Sequence, residues 1–378
     1  MANTLTNLTP DLYEALDTVS RELVGFIPSV TLDANAERAA KGQTIRSAVA
    51  PASTAADITP AQTAPDTGDQ TITNKTISIS KSRGVPVRWN GEEQRGLNAN
   101  GPGYNNILRD QFAQAMRTLC NEVESDLADL YSSSSRAYGT AGTTPFGTAG
   151  NFSDASEALR ILKDNGSPLT GNQLVVSSAA GAKMLGLQSR YDVQGNDSLL
   201  RQGVLLSTAG MDIRESAQVN SHTQGTGTSY LVNDASLAVG DTVIAADTGS
   251  GTIVAGDVVT FAGDSNKYLV TSALSGGSFT IAAPGLKTAV ADNSAITVGG
   301  DYTANIAFNR SAIVLVTRAP ARPIEGDLAE DVMIMTDPRS GISFEVSMYK
   351  EYRQVHFEVA LAWGVSAIKP EHMAVLLG

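Results

Sequence analysis

One cysteine is all the thiol chemistry this chain carries, so no internal disulfide framework is open to it. Cys120 falls among apolar positions at helical spacing and reads as a packing residue rather than a reactive thiol. Histidine is nearly as scarce. His222, His356 and His372 are the three, no two share metal-ligand spacing within one element, and no CxxC occurs. Each reads as a structural or surface histidine. No nucleophile elbow of the form GxSxG stands in a strand–turn–helix setting, and no glycine loop ends in Lys-Ser/Thr. Ser275-Gly276-Gly277-Ser278 reads as a turn between strands, not as a helix start that could seat an anion. Asp241, Asp247, Asp257, Asp264 and Asp292 are spread over separate turns, which favours turn chemistry over a calcium loop. The expectation is therefore a protein that is not an enzyme, with no catalytic residue, cofactor or metal site.

Charge is also thin. Only 17 % of the residues are charged, and 39 acidic residues outweigh 27 basic ones for a net charge of −12. A surface that grips nucleic acid needs a Lys/Arg stripe, which this balance disfavours. A wall that encloses nucleic acid without gripping it remains open. No apolar run is long enough to span a bilayer. The opening MANTLTNLTPDLYEAL has no basic region followed by an apolar stretch, so no signal peptide is expected and folding in a cytoplasm is. With 35 glycines among 378 residues, the composition suits a chain that covers much of its surface with copies of itself.

What is present has an order. A short helix is expected near the start, with Thr9 as its cap, Pro10 as its first residue and an apolar stripe of Leu12, Leu16, Val19 and Leu23. Its packing on the chain's own core or on a neighbour is left open. Residues 47–70 are rich in Ala, Pro, Thr and Ser. Strand texture follows at Gln70 to Ser80 and at Gly84 to Trp89, and reads as a long excursion ending in a β-hairpin. Alone in water such a hairpin is marginal, so it needs a surface to lie on.

From Tyr104 to Tyr131 runs the clearest helix, with Leu108, Phe112, Met116, Leu119, Val123 and Leu127 on one stripe. At 1.5 Å per residue it spans roughly 40 Å. Arg109, Asp110, Glu122, Asp126 and Asp129 mostly fall off the stripe and read as a solvated face. Beyond residue 150 the pattern alternates: helix at Ser153 to Lys163, a buried strand at Asn172 to Ser177, helix at Ser178 to Gln188. From about Asn220 to Gly300 the helix formers stop. Short Val/Ile/Thr runs separated by Gly, Asp, Asn and Ser suggest a small closed barrel or sandwich. Such an insert must leave its host and return at neighbouring points. Strands resume after it, at Ala304 to Thr317, Val332 to Thr336, Ile342 to Tyr349 and Gln354 to Trp363, with a final apolar strand in the tail. Trp89 and Trp363 read as core residues.

Four stretches, in order, carry a family resemblance: KGQTIRSAVAPASTAADITP, LLRQGVLLSTAGMDIRES, AGDVVTFAGDSNKYLV and EVALAWGVSAIKPEHMAVLLG. Together with the order of parts, they make the chain similar to the major capsid proteins of tailed bacteriophages with the Hong Kong ninety-seven fold. The branch it resembles is that of the phage P-twenty-two coat protein, which carries an inserted β domain. The resemblance implies an α+β fold with an N-terminal arm at 1–46, an extended loop at 47–95 and a peripheral domain with the spine helix at 96–149, completed by about 337–378. It further implies an axial domain at 150–219 and 301–336, and an inserted barrel at 220–300. Ile72, Ile77, Ile79, Val85, Val87 and Trp89 on the extended loop become the candidate inter-subunit contacts.

The implied partners are copies of the same chain in pentamers and hexamers, a scaffolding protein, a portal, decoration proteins, and a double-stranded DNA genome enclosed without sequence-specific binding. No membrane is implied. The implied location is the virion. An encapsulin-like compartment shell is the alternative, although such a shell needs no inserted β module.

Overall fold

The computed structural model describes residues 5–22, 25–49, 55, 57, 58, 60, 73–100, 103–147, 152–188, 207, 208, 210–235, 237–337 and 341–378. The chain is a mixed α+β protein. Its strands divide between two main sheets and one isolated ribbon.

The first sheet lies against the long helix. Its strands run β1 (Thr31–Ala39), β17 (Ile313–Pro320), β20 (Gln354–Ala367), β19 (Ser343–Glu351) and β18 (Ala329–Thr336), with β4 (Lys81–Asn90) on the other side of β20. β4 pairs antiparallel with β20 over its whole length, from Lys81 opposite Trp363 to Asn90 opposite Gln354. Helix α3 (Tyr104–Ala128) packs on this sheet. Its buried residues Leu108, Phe112, Met116, Leu119, Val123 and Leu127 form the expected stripe and meet Phe344, Phe357, Leu361 and Trp363 in one core. Phe112 and Phe357 meet edge to face at 5.5 Å, a favourable aromatic arrangement. Cys120 is buried in that core, and burial pushes its thiol pKa up.

Helix α1 (Leu5–Glu22) lies across α3 and buries Leu12, Ala15 and Leu16 in the same core, with Glu14 paired to Arg109 at 3.1 Å. Within the single chain, then, the first helix covers its own body. It starts earlier than Thr9, and Pro10 sits inside it rather than at its first position. Helix α2 (Gly91–Asn100) was not expected, although its signal is in the sequence. The Asn90 side chain accepts from the Glu93 amide at 2.8 Å, and the Glu93 carboxylate accepts from the Asn90 amide at 3.1 Å, a reciprocal capping box.

The second sheet holds β5 (Arg136–Tyr138), β21 (Met373–Leu377), β16 (Tyr302–Asn309), β6 (Asn172–Val176), β8 (Met211–Glu215) and β7 (Ser207–Thr208) in that order. Helices α4 (Ser153–Asp164) and α5 (Ser178–Gln188) bury Ala155, Leu159, Leu162 and Met184 against it. Every residue of β6 is buried: Leu174, Val175 and Val176 pack in the core, while Asn172 donates to the Pro168 carbonyl and Gln173 to Asp212. Of the strands the sequence reading assigns to 301–336, only β16 joins this sheet; β17 and β18 lie in the first. A 3-10 turn at Arg310–Ala312 between β16 and β17 lets the chain change sheets. β21, grouped by sequence with the peripheral domain, pairs with β16 and β5.

The insert is a closed ring. β10 (Tyr230–Val232), β11 (Val243–Asp247), β14 (Ser278–Ile281), β13 (Lys267–Ser275), β12 (Val258–Phe261) and β15 (Ala295–Val298) pair in sequence around the ring, and β15 returns to β10. Each pairing is antiparallel. The interior is its own core of Val232, Ile244, Phe261, Tyr268, Phe279 and Ile296. Entry and exit strands are neighbours, because β9 (Ser221–His222) pairs with the start of β16, His222 opposite Tyr302. β13 also pairs with β5, which stitches the ring to the second sheet.

Replacing residues 223–301 by a two-residue Asn-Gly turn between His222 and Tyr302 is expected to leave a folded remainder. Circular dichroism should retain the helical signal, and melting should stay cooperative at a lower Tm. Loss of hydrogen-exchange protection in β6 and β16 would show instead that the host sheet needs the ring to fold.

Candidate functional site

The third β unit is a ribbon of two strands, β2 (Thr44–Val49) and β3 (Thr73–Ser78), joined among the described residues to no larger sheet. Six antiparallel rungs run from Thr44 opposite Ser78 to Val49 opposite Thr73. This corrects the hairpin read from sequence. β3 and β4 follow one another without pairing, because β4 spends its backbone groups on β20 and β3 spends its own on β2. The glycine that could have formed a tight turn, Gly84, lies within β4 opposite Ala360, close against Glu358.

Two-stranded ribbons are marginal alone, and among the described residues this one is held at its base and, partway along β3, by Lys75. Ile77 and Ile79 are buried with Ala39, Val316, Ala362 and Ile368. The Lys75 ammonium donates to the Ile368 carbonyl at 2.5 Å, and the Ser80 amide to the Trp363 carbonyl at 3.0 Å. Gly364 permits the crossing, since a Cβ there would collide with the Ser78 carbonyl oxygen. Along its strands, Thr44, Arg46, Asn74, Lys75 and Thr76 are exposed.

The six residues singled out from sequence therefore separate. Ile72 lies outside the described residues. Ile77 and Ile79 form the ribbon's root. Val85, Val87 and Trp89 sit on β4 and pack into the core under α3. The Trp89 indole donates to Gln111 at 2.7 Å and meets Tyr104 edge to face at 5.5 Å. The five described residues are thus in contact with their own chain. On the polar face of α3, Asp110 is exposed as expected, as is Asp129 at its end, but Asp126 is engaged: it accepts from Lys81 at 2.6 Å and from the Trp363 indole at 2.8 Å, which locks β4 and β20 to the helix.

Two buried polar clusters escaped the sequence reading, because each joins residues far apart in the chain. Glu124 on α3 accepts from the amides of Phe26 and Ile27 at 3.1 and 2.7 Å and from the Ser216 hydroxyl at 2.8 Å. It ties the turn after α1 to the segment leading into the insert. Burial nevertheless outweighs those three donors and pushes the Glu124 carboxyl from 4.5 up to about 7. At the foot of the ring, the Tyr131 hydroxyl bonds His222 Nδ1 at 2.9 Å and His222 Nε2 bonds Asp257 at 2.9 Å. The amides of Gly225 and Val254 complete the Asp257 carboxylate. Tyr302 stacks on His222 and donates to the Gly256 carbonyl. Gly256, at φ +95°, leaves room for the imidazole. This latch holds the ring to the end of α3. Its tyrosines are held protonated, since burial, first among the causes, raises the pKa of Tyr131 and of Tyr302.

Among the described residues no group of three or more His, Cys, Asp or Glu side chains gathers as metal ligands would. Among them, too, no helix is long and apolar enough to cross a membrane.

No family model and no curated protein matches the chain. Solved structures do resemble it at a distance. The capsid of cyanophage P-SCSP1u aligns over 92 % of this chain and 86 % of its own at 12 % identity, TM-score 0.46. The mature capsid of bacteriophage PhiM1 aligns over 93 % and 86 % at 12 % identity, TM-score 0.42. The SrpI encapsulin complex of Synechococcus elongatus aligns over 94 % and 86 % at 13 % identity, TM-score 0.39.

Gly364→Ala is expected to pry the ribbon from β20 and to lower stability by about 1–3 kcal/mol, the usual range for an overpacked site. Hydrogen exchange should report lost protection at Ile79 and Ser80; unchanged protection there would remove Gly364 as the anchor. Because the folded chain holds the Glu124 proton more tightly than the unfolded chain does, that contribution is full below pH 4.5. It fades as pH rises through about 7, by about 3 kcal/mol at ~1.36 kcal/mol per pH unit. Glu124→Gln should flatten the fall in Tm between pH 5 and pH 8. A variant with the wild-type slope would place the titration elsewhere.

Proposed function

We propose that this chain is a shell-building protein, the major capsid protein of a tailed bacteriophage, forming the pentamers and hexamers of an icosahedral wall around double-stranded DNA. The observation that carries the reading is the ribbon. Among the described residues, β2 and β3 leave the body as a two-stranded unit packed at its root by Ile77 and Ile79 and held by Lys75, with Arg46, Asn74 and Thr76 exposed on its strands. A ribbon of that kind gains its missing cover from a neighbouring body, and rotationally repeated contacts close into rings.

The order of parts supports the same reading: a first helix, the ribbon, a long helix on a sheet, a second α/β unit and an inserted β ring. In this reading 1–46 is the arm, 47–95 carries the extended loop, and α3 is the spine of the peripheral domain. Residues 150–219 with β16 gather near the capsomer axis, and 220–300 is the inserted barrel. Contact between subunits falls to exposed ribbon residues such as Arg46, Asn74 and Thr76. Ile77, Ile79, Val85, Val87 and Trp89 set the angle at which the ribbon leaves. The net charge of −12 suits a wall along which packaged DNA slides. A scaffolding protein, a portal and decoration proteins are the further partners, and the virion is its place.

The test is assembly. Electron microscopy of the purified protein should show closed shells of virion size. Small uniform shells would redirect the reading to a cargo compartment, and monomers under every condition would refute both. Removing residues 46–76 and closing the ribbon at its root spares β4 and the core beneath it. This variant should remain a folded monomer by circular dichroism and form no shells. Normal shells from it would remove the ribbon from assembly.

A further inference from the structure

Where the ring meets the second sheet, a cavity of about 370 Å³ opens between β5, α4 and the turn joining β12 to β13. Basic side chains dominate its wall, in a chain whose overall charge is acidic: Arg136, Arg160 and Lys267 line it. Arg136 is 4 % exposed. One of its terminal nitrogens donates to Asn266 at 2.9 Å, while the other has only long contacts, 3.4 Å each, to Asp164 and Asn165. Its Nε is buried with no hydrogen-bond partner.

A buried guanidinium donor without an acceptor calls for a physical explanation, and a bound ion is one of the few available. The local carboxylates offset only part of the cluster's charge. Asp164 is shared by Arg136 and Arg160 through a single oxygen, at 3.4 and 3.1 Å, and Glu157 is engaged by Arg160 at 2.6 Å. Asp264 accepts instead from Tyr268 and from Asn266. Lys267 donates to the Gly139 carbonyl, which holds its ammonium at the cavity wall. The positive field extends beyond the wall: the Lys287 pKa is lowered by burial first and by the Arg136 charge second.

We propose that this cavity is an oxyanion site for a phosphate-type tetrahedral anion, held by Arg160, Lys267 and Arg136. Planar guanidinium groups match such anions bidentately, and an ammonium adds a compact charge. The buried Arg136, 4 % exposed, supplies the most strongly desolvated of the three charges. Because β5 and α4 belong to the body and the β12–β13 turn belongs to the ring, the anion ties the two together as a removable electrostatic staple. The inference is independent of shell assembly, since every residue in it belongs to one chain.

Inorganic phosphate is the probe. Equilibrium dialysis of the full chain against labelled phosphate should give saturable binding of about one ion per chain. At phosphate ten times its Kd, the folded-to-unfolded ratio should rise about elevenfold over chloride at matched ionic strength. The Arg160→Gln/Lys267→Gln double variant keeps the buried Arg136 and should stay folded while losing both effects. Arg160→Lys should restore part of them. Absence of saturable binding would overturn the site, and so would equal stabilisation of the wild type and the double variant, which marks a bulk salt effect. If the double variant fails to fold, Arg160→Gln alone supplies the comparison, with at least a tenfold loss of phosphate affinity expected and an unchanged affinity counting against the proposal.

Discussion

β20 is occupied along both of its edges, and the rest of the body is arranged by that fact. β4 takes one side of it, while β19 and then β17 take the other. Backbone donors and acceptors removed from water must be paired, so a fourteen-residue strand this deep in the protein requires long partners on either side. One face of the resulting sheet receives the apolar stripe of α3. Trp363 joins the two layers, since its indole is buried in the shared core and its N–H reaches Asp126 on the helix. From the same stretch of β20, the Trp363 carbonyl and Gly364 set the root of the ribbon. The long helix, the sheet and the projecting ribbon thus share one fixed point.

The two polar clusters deepen this arrangement. Glu124 joins the turn after α1 to the chain entering the insert. The Tyr131–His222–Asp257 chain of hydrogen bonds fastens the ring where the long helix ends. Both are buried and satisfied, so both restrict the relative placement of parts that would otherwise meet through apolar contact alone. The long helix serves as a common rail: the first helix, the first sheet and the ring are each attached to it at a different height.

Local periodicity made much of the fold legible. The stripe of α3, the Leu-Val-Val of β6 and the texture of the insert are carried by neighbouring residues, and these elements appear where the sequence places them. Pairing was not legible in the same way. Nothing near Lys81 to Asn90 names a partner some 270 residues onward, and a β3–β4 hairpin was the economical local guess. The partner of β3 lies instead across residues 50–72, where the sequence offers little but Ala, Pro and Thr. Long-range polar contacts were hidden for the same reason. Glu124 sits among apolar neighbours on the buried stripe, and the positions of His222 and Asp257 acquire meaning only once the ring closes. By contrast, the Asn90-x-x-Glu93 cap of α2 was written locally and simply not read. At the candidate site, the division between root and exposed strand follows from which strand β3 pairs with, and no neighbouring residue states that pairing.

The closure of β12 onto both β13 and β15 has one further consequence. An open insert would present a raw margin of peptide groups able to recruit any extended segment it met, a hazard that grows when many copies are crowded together. This ring has no such margin to offer. Whatever it touches must be met by turns and side chains rather than by an unpaired strand edge.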